Sequence, residues 1–318
     1  MSSPTLIFIH GSWHQPRCYD PIIKLIETQK NLKCIAITLP STTGNPSATF
    51  KDDLDVAREA ISNELDHERN VVVIAHSYGG MVGNSAIKGF TKSTTTKSKA
   101  HVIGLILIAS GFTLTGLTFM DPFLGHPPPA WRVNRETGYA ELVASPRELF
   151  YHDVPDEEAE YWVSQLTSQS LKALFEGGEH TYAGWKDVPS WYIGTTEDRG
   201  IPVLAQRMGV GMAREMGGVV EHREMETSHS PFLSQPQATV DIIVEAVEAF
   251  TGSQKSEPVS ARRVDVPVPA LPRAVLWQPS TWLKFGLPLA FGHVLGRGIL
   301  VFGWGKRLWR SRFGLRSV

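Results

Sequence analysis

Cysteine is nearly absent: Cys18 and Cys34 are the only two in 318 residues. Two thiols cannot build the disulfide framework of a small secreted scaffold, and no Cys/His cluster has zinc-site spacing. Net charge is nearly absent too, at −1 from 31 Lys plus Arg and 32 Asp plus Glu. A nucleic-acid-binding chain would carry a clear basic excess, so that class is excluded. The opening MSSPTLIFIHG lacks the basic start, apolar stretch and cleavage site of a signal peptide. A cytoplasmic protein is expected. No internal repeat is visible. What remains is ordinary for a folded chain: 42% apolar and 20% charged residues exclude disorder. The length allows one large domain or two small ones around a sizeable core.

The near-zero charge hides an asymmetry. Residues 1–259 carry 21 basic and 31 acidic side chains, whereas residues 260–318 carry 10 basic and one acidic, Asp265. Between them, residues 252–273 are rich in Ser, Pro and Val, the composition of an extended linker. The chain thus reads as a body over 1–251, a linker over 252–273 and a basic, apolar tail over 274–318.

In the body, β-rich apolar runs at Leu6–His10, Lys33–Leu39, Asn70–Ala75, Val102–Ala109, Ser190–Thr195 and Val219–Arg223 alternate with helical patterns. The helical patterns cover 17–30, 50–67, 79–90, 200–216 and 235–250. Continuous runs such as VVVIA suit strands buried on both faces, and the alternation predicts a doubly wound, mostly parallel α/β sheet. Residues 113–188 break the rhythm with HPPPAW, a turn, then an acidic helical stretch at 155–176. This insertion is expected to form a helical cap. The polar run 91–99 reads as an exposed loop.

Ser77 lies in Ala75-His76-Ser77-Tyr78-Gly79-Gly80, after a strand and before a helix. This is G-x-S-x-G with alanine at the first glycine. Such a sharp strand-to-helix turn lifts the serine Oγ above the sheet and turns the next backbone N–H toward a developing oxyanion. His10-Gly11-Ser12-Trp13 ends the first strand and offers the N–H of Ser12 as a second donor beside that of Tyr78. On such an elbow the acid and then the base follow the serine in sequence. Asp198 and Glu197 compete for the acid, because a one-residue shift at a strand end reverses the side chain. His229, in the loop after the last strand, has the position of the base. His222 falls within a strand and His180 in the cap. Trp13 and His14 are close enough to the oxyanion turn to touch substrate, and Trp131 and Trp162 of the cap are further pocket candidates. Gly209-Val210-Gly211 lies within a helix and not after a strand, which sets aside nucleotide binding. Cys18 and Cys34 read as small buried residues.

HGSW, AHSYGG, YIGTTEDRGIP and SHSPFLSQP occur in that order over residues 4–251. Together they resemble the plant methylesterase and hydroxynitrile-lyase branch of the α/β-hydrolases and related fungal hydrolases. The resemblance implies an α/β-hydrolase fold with a helical cap, no metal or organic cofactor, and the aspartate of the E-D-x-x-I-P segment as triad acid, which selects Asp198. In the lyases a Thr follows the first His and a Lys follows the triad His. Here those positions are Gly11 and Ser230, so hydrolysis of a small carboxylic ester is favoured. The alternatives are a non-hydrolytic lyase-type enzyme of secondary metabolism and a ligand-binding homologue with little turnover.

The tail is aromatic and basic. Phe285–Trp304 holds one firm charge, Arg297, with Pro288 and several glycines. A central arginine costs at least about 2.5–3.5 kcal/mol in a spanning helix. Trp277, Trp282, Trp304 and Trp309, with Lys306, Arg307, Arg310 and Arg312, form a pattern of interfacial anchors for anionic lipid. Peripheral membrane contact through 274–318 is expected ahead of a span; the other reading packs the segment on the body, pairs it with a second subunit or leaves it disordered.

Overall fold

The computed structural model describes residues 3–92, 99–252, 274–275 and 277–312. The chain runs through β1 (Thr5–Ile9), α1 (Asp20–Lys30), β2 (Cys34–Ile37), α2 (Phe50–Asp66), β3 (Val71–His76), α3 (Gly79–Ala86) and β4 (Val102–Ile108). An insertion follows, made of the hairpin β5 (Trp131–Asn134) and β6 (Tyr139–Leu142) and of α4 (Pro146–Phe150), α5 (Asp156–Ser164) and α6 (Leu171–Phe175). The body closes with β7 (Ser190–Thr195), α7 (Val203–Glu215), β8 (Val220–Met225), α8 (Pro231–Ser234) and α9 (Pro236–Thr251).

The apolar runs become a six-stranded sheet of order β2-β1-β3-β4-β7-β8 in which every pairing is parallel. Every residue of β1 and β3 is buried, as their unbroken Val, Ile and Leu runs predict for strands covered on both faces. Helices start where the side chains permit: Thr49 and Asp52 form a reciprocal capping box at the head of α2. Strand order reverses between β1 and β3, and their register sets Ile9 opposite Ala75. The turns leaving these two strands, His10–Trp13 and the one at Ser77, therefore emerge side by side at the switch point, where doubly wound sheets bind ligands.

The insertion is only partly the expected helical cap. Trp131 pairs with Leu142 in an antiparallel hairpin that the Pro-rich turn and acidic pattern did not reveal. The acidic stretch 155–176 is two helices, because the segment between them bonds to the body and to β6. Thr167 N–H donates to the Trp13 carbonyl at 2.7 Å, Ser170 N–H to that of Ser41 at 2.9 Å, and Ala140 N–H to that of Gln169 at 2.9 Å. Those tertiary bonds replace the ones that would have continued the helix.

The linker over 252–273, Gly252 apart, lies outside the described residues, as does most of the polar run 91–99. Beyond it, a turn at Pro279–Thr281 and a wide turn at Trp282–Gly286 lead into a C-terminal helix, Leu287–Arg312, packed along α7. Cys18 is buried and Cys34 half-buried, both unpaired.

Two buried contacts fix the scaffold around the site. Gly104 of β4 leaves room for the Phe250 ring of α9, which a Cβ there would strike. Asp53 of α2 accepts the Ser41 N–H and the Tyr78 hydroxyl, both at 2.8 Å, and so ties the elbow to the loop after β2. Burial pushes the Asp53 carboxyl up to about 6, against the hydrogen bonds from Ser41 and Tyr78.

Gly104→Val should destabilise the protein by about 1–3 kcal/mol through overpacking; an unchanged urea midpoint would show that Phe250 is not held there. For Asp53, the folded pKa lies above the unfolded value of about 3.9. The native state therefore keeps this proton longer, and stability declines as pH rises from about 4 to about 6. Asp53→Asn removes that titration and should gain on the parent by about 3 kcal/mol across this window. Parallel pH profiles of the two urea midpoints would exclude it.

Candidate active site

Ser77 takes a left-handed backbone, φ 52°, immediately after β3. A serine stays there only where neighbours hold it. Its N–H donates to the Ile108 carbonyl at 3.1 Å, and its own carbonyl accepts the Ser110 hydroxyl at 2.6 Å. The small residues around it are sterically required. A Cβ on Gly79 would strike the Ile9 and His10 carbonyls, one on Gly80 the Ser110 hydroxyl, and one on Gly11 would lie 2.8 Å from the Ser77 Cβ.

His229, in the loop after β8, is buried, and its Nδ1 donates to Asp198 Oδ2 at 2.8 Å. Asp198 Oδ2 also accepts the Thr195 hydroxyl at 2.8 Å and the Gln206 amide at 3.1 Å, and Oδ1 accepts the N–H groups of Gly200 and Ile201 at 2.7 and 2.8 Å. Burial alone would raise this carboxyl. The neighbouring His229, the backbone N–H of Ile201 and the Thr195 hydroxyl outweigh it and hold Asp198 below the usual carboxylate range. The neighbouring Glu197 points the other way, half-exposed, with an oxygen 3.7 Å from His152. Of the two acids, Asp198 is the one that faces His229.

Three further histidines form a shell, of which the sequence singled out only His14, and that as a substrate contact. Leu39 N–H donates to His10 Nε2 at 3.3 Å, so the His10 proton sits on Nδ1, which donates to the Gly11 carbonyl at 2.9 Å. Tyr151 OH donates to His14 Nε2 at 2.9 Å, and His14 Nδ1 donates to the Ser12 carbonyl at 2.8 Å. His76 Nε2 donates to the His229 carbonyl at 2.9 Å. Burial pushes His10 down to about 4 and His14 down to about 3, and holds His76 well below the usual imidazole range. All three are neutral clamps at neutral pH. No local signal marks them, because each partner except Gly11 and Ser12 is distant in sequence.

The cap closes the site. The Trp13 indole N–H donates to the Ala140 carbonyl at 2.9 Å; Ser228 donates through its N–H to Asp153 at 2.9 Å and through its hydroxyl to the Phe150 carbonyl at 2.8 Å. Together they enclose a cavity of about 420 Å³ lined by Ser12, Ser77 and His229, with Trp13, Trp131 and Phe150 among its aromatic walls. Among the described residues no Lys, Arg, Asp or Glu lines it. Of the pocket candidates, Trp13 and Trp131 do line it. His14 does not, because its ring is spent between Ser12 and Tyr151. Trp162 does not either: it is buried on α5, with its indole N–H 3.3 Å from Glu158. Ser12 and Tyr78 are both buried, and neither backbone N–H has an acceptor among the described residues. His222 sits inside β8 beside Glu224, away from this cavity. Among the described residues no cluster of three or more His, Cys, Asp or Glu is arranged to hold a metal.

Comparison with known proteins places this architecture. The chain is 24% identical over 246 residues to the α/β hydrolase nvfD of Aspergillus novofumigatus, covering 76% of this chain and 96% of that protein. It is 24% identical over 262 residues to methylesterase 17 of Arabidopsis thaliana, covering 76% and 91%. The crystal structure of a pyrethroid hydrolase from Sphingobium faniae JZ-2 shares the fold, with a TM-score of 0.60 at 20% identity over 78% of this chain and 98% of that one. The family model of the alpha/beta hydrolase family matches residues 6–242, and with the parallel sheet and the elbow at Ser77 this makes the chain a member of the alpha/beta hydrolase family.

Proposed function

We propose that the protein is a serine hydrolase that cleaves a small, uncharged carboxylic ester through an acyl-enzyme, with Ser77, His229 and Asp198 as its triad. The observation that carries this reading is the convergence of Ser77 and His229 on one cavity, with His229 held by Asp198 in the tautomer that leaves Nε2 free. Ser77 Oγ attacks the ester carbonyl and passes its proton to His229 Nε2. The oxyanion is held by the N–H groups of Ser12 and Tyr78, each worth about 2.7–4 kcal/mol of transition-state stabilisation. Collapse expels the alcohol, which takes the proton from His229. Water, deprotonated by the same imidazole, then releases the acid. His10 and His14, by holding the carbonyls of Gly11 and Ser12, are positioning residues for the first donor.

Hydrolysis is supported over the lyase reading by two positions. A Thr at Gly11 would bring a Cβ to 2.8 Å from the Ser77 Cβ. At the other, Ser230 is fully buried and supplies no cation. The named activities of the relatives, a methylesterase and a pyrethroid hydrolase, agree with ester substrates. An aromatic-walled cavity in which His229 is the only titratable lining group among the described residues favours neutral acyl and alcohol groups.

Ser77→Ala should lower kcat on a short p-nitrophenyl ester by about 10⁴–10⁶-fold with an unchanged circular dichroism spectrum; turnover surviving in a clean preparation would sink the assignment. Asp198→Asn should cost about 10⁴-fold by disturbing the His229 tautomer. A fluorophosphonate probe should label Ser77 in the parent chain, and absence of labelling would favour a ligand-binding homologue. Product analysis with a neutral methyl ester beside a cyanohydrin separates hydrolysis from lyase chemistry, with acid release expected from the ester alone.

A further inference from the structure

The C-terminal helix lies along α7 in parallel. Arg207 meets Lys284 and Phe285, Gly211 meets Leu289 and Gly292, and Glu215 meets His293 and Arg297. The seam is made of glycine. A Cβ on Gly211 would strike the Leu289 carbonyl, one on Gly292 would lie 2.8 Å from Met212 N, and one on Gly296 would lie 2.8 Å from the Met212 carbonyl. The Gly292-x-x-x-Gly296 spacing lets the two backbones touch. Polar pins hold both ends. Arg207, buried and paired bidentately with Glu224, donates to the Lys284 carbonyl at 2.5 Å and stacks on the Phe285 ring at 4.2 Å. Glu215 takes His293 at 3.1 Å and Arg297 at 2.5 Å. The tail is therefore docked, and Gly209-Val210-Gly211 has a packing role at Gly211.

The opposite face is bare. Leu283, Leu287, Phe291, Val294, Val301 and Phe302 fall on one stripe at helical spacing, from 55% exposed at Leu287 to 74% at Phe302. Pro279–Phe302 is long and apolar enough, by length and composition, to cross a membrane; an 18-residue window within it has a mean hydropathy of 1.5, and 17% of that window is buried. A contiguous apolar ridge of this kind marks an interaction surface. Its charge selects the partner: after Asp265 the sequence holds no acidic residue, and Lys306, Arg307, Arg310, Arg312 and Arg316 follow the ridge.

We propose that the docked C-terminal helix is a lipid-facing ridge that seats the protein on an anionic membrane surface without crossing it. The glycine seam and the Glu215 pairings keep the helix flat against the body. A span would have to break them and carry Arg297 into the bilayer unpaired. The apolar stripe would enter the acyl boundary while the basic residues beyond it meet anionic headgroups. α7, which carries the ridge, also lines the cavity at Ala205 and Gln206, so the two share one support.

The test is flotation of the full-length protein with vesicles of phosphatidylcholine alone and of phosphatidylcholine with about 30% phosphatidylserine. Binding to the anionic vesicles only, weakened by high salt, is expected. The triple variant Leu287→Glu, Phe291→Glu, Val294→Glu should bind about tenfold or more weakly. Its melting temperature should match the parent's, because these side chains are exposed. Lys306→Gln with Arg307→Gln leaves the stripe intact and should reduce only the preference for phosphatidylserine. No flotation of the parent at any salt would overturn the proposal. So would resistance of the bound protein to alkaline carbonate extraction, which marks a span. A parent dimer in light scattering that the triple variant dissolves would overturn it in favour of a subunit interface.

Discussion

A serine can be raised above a parallel sheet only by forcing its backbone into the left-handed region, and Ser77, at φ 52°, is held there. That conformation costs on the order of 1–3 kcal/mol for a residue with a Cβ. It persists because the surroundings over-determine it: β3 is hydrogen-bonded between β1 and β4, Ile108 and Ser110 hold both sides of the serine's peptide, and three glycines clear the space. The strand order, the glycines and the neighbouring turn after β1 all make sense as conditions of that one strained residue.

Electrostatics around the elbow follow a second constraint. The site buries four histidines, yet only Asp198 among the groups that contact them closely is held as an anion. His10, His14 and His76 are kept neutral by burial and act as hydrogen-bond clamps of fixed tautomer. The His76 ring packs on the His229 imidazole, with centroids 4.6 Å apart, and on the His14 ring at 5.5 Å. Burial disfavours a charge on any of the three.

The fold was legible because its signals are local. Unbroken Val and Ile runs, their alternation with helical patterns, and a serine between a strand and two glycines each act within a few residues. The cap was less legible: Gln165–Ser170 interrupts the acidic helical pattern because its backbone bonds to Trp13, Ser41 and Ala140, partners far away in sequence. Trp131 and Trp162 looked alike as pocket residues, and only packing separated them. The clamping roles of these histidines and of Asp53 were invisible for the same reason, since His76 meets His229 across 153 positions.

The sequence by itself determined the strand–helix alternation, the elbow and the order of serine, acidic pair and histidine, because backbone sterics and hydrophobic period are properties of short segments. It also carried the charge asymmetry that sets the tail apart from the body. Tertiary structure decided which acid faces His229, which aromatics wall the cavity, and how the tail is held. Glu197 and Asp198 differ by which side of one strand end they leave, and that end is oriented by the loop bonds of Thr195, Gly200 and Ile201. The tail helix is docked because Gly211 and Gly292 meet across 81 residues of chain, a contact that no local pattern encodes.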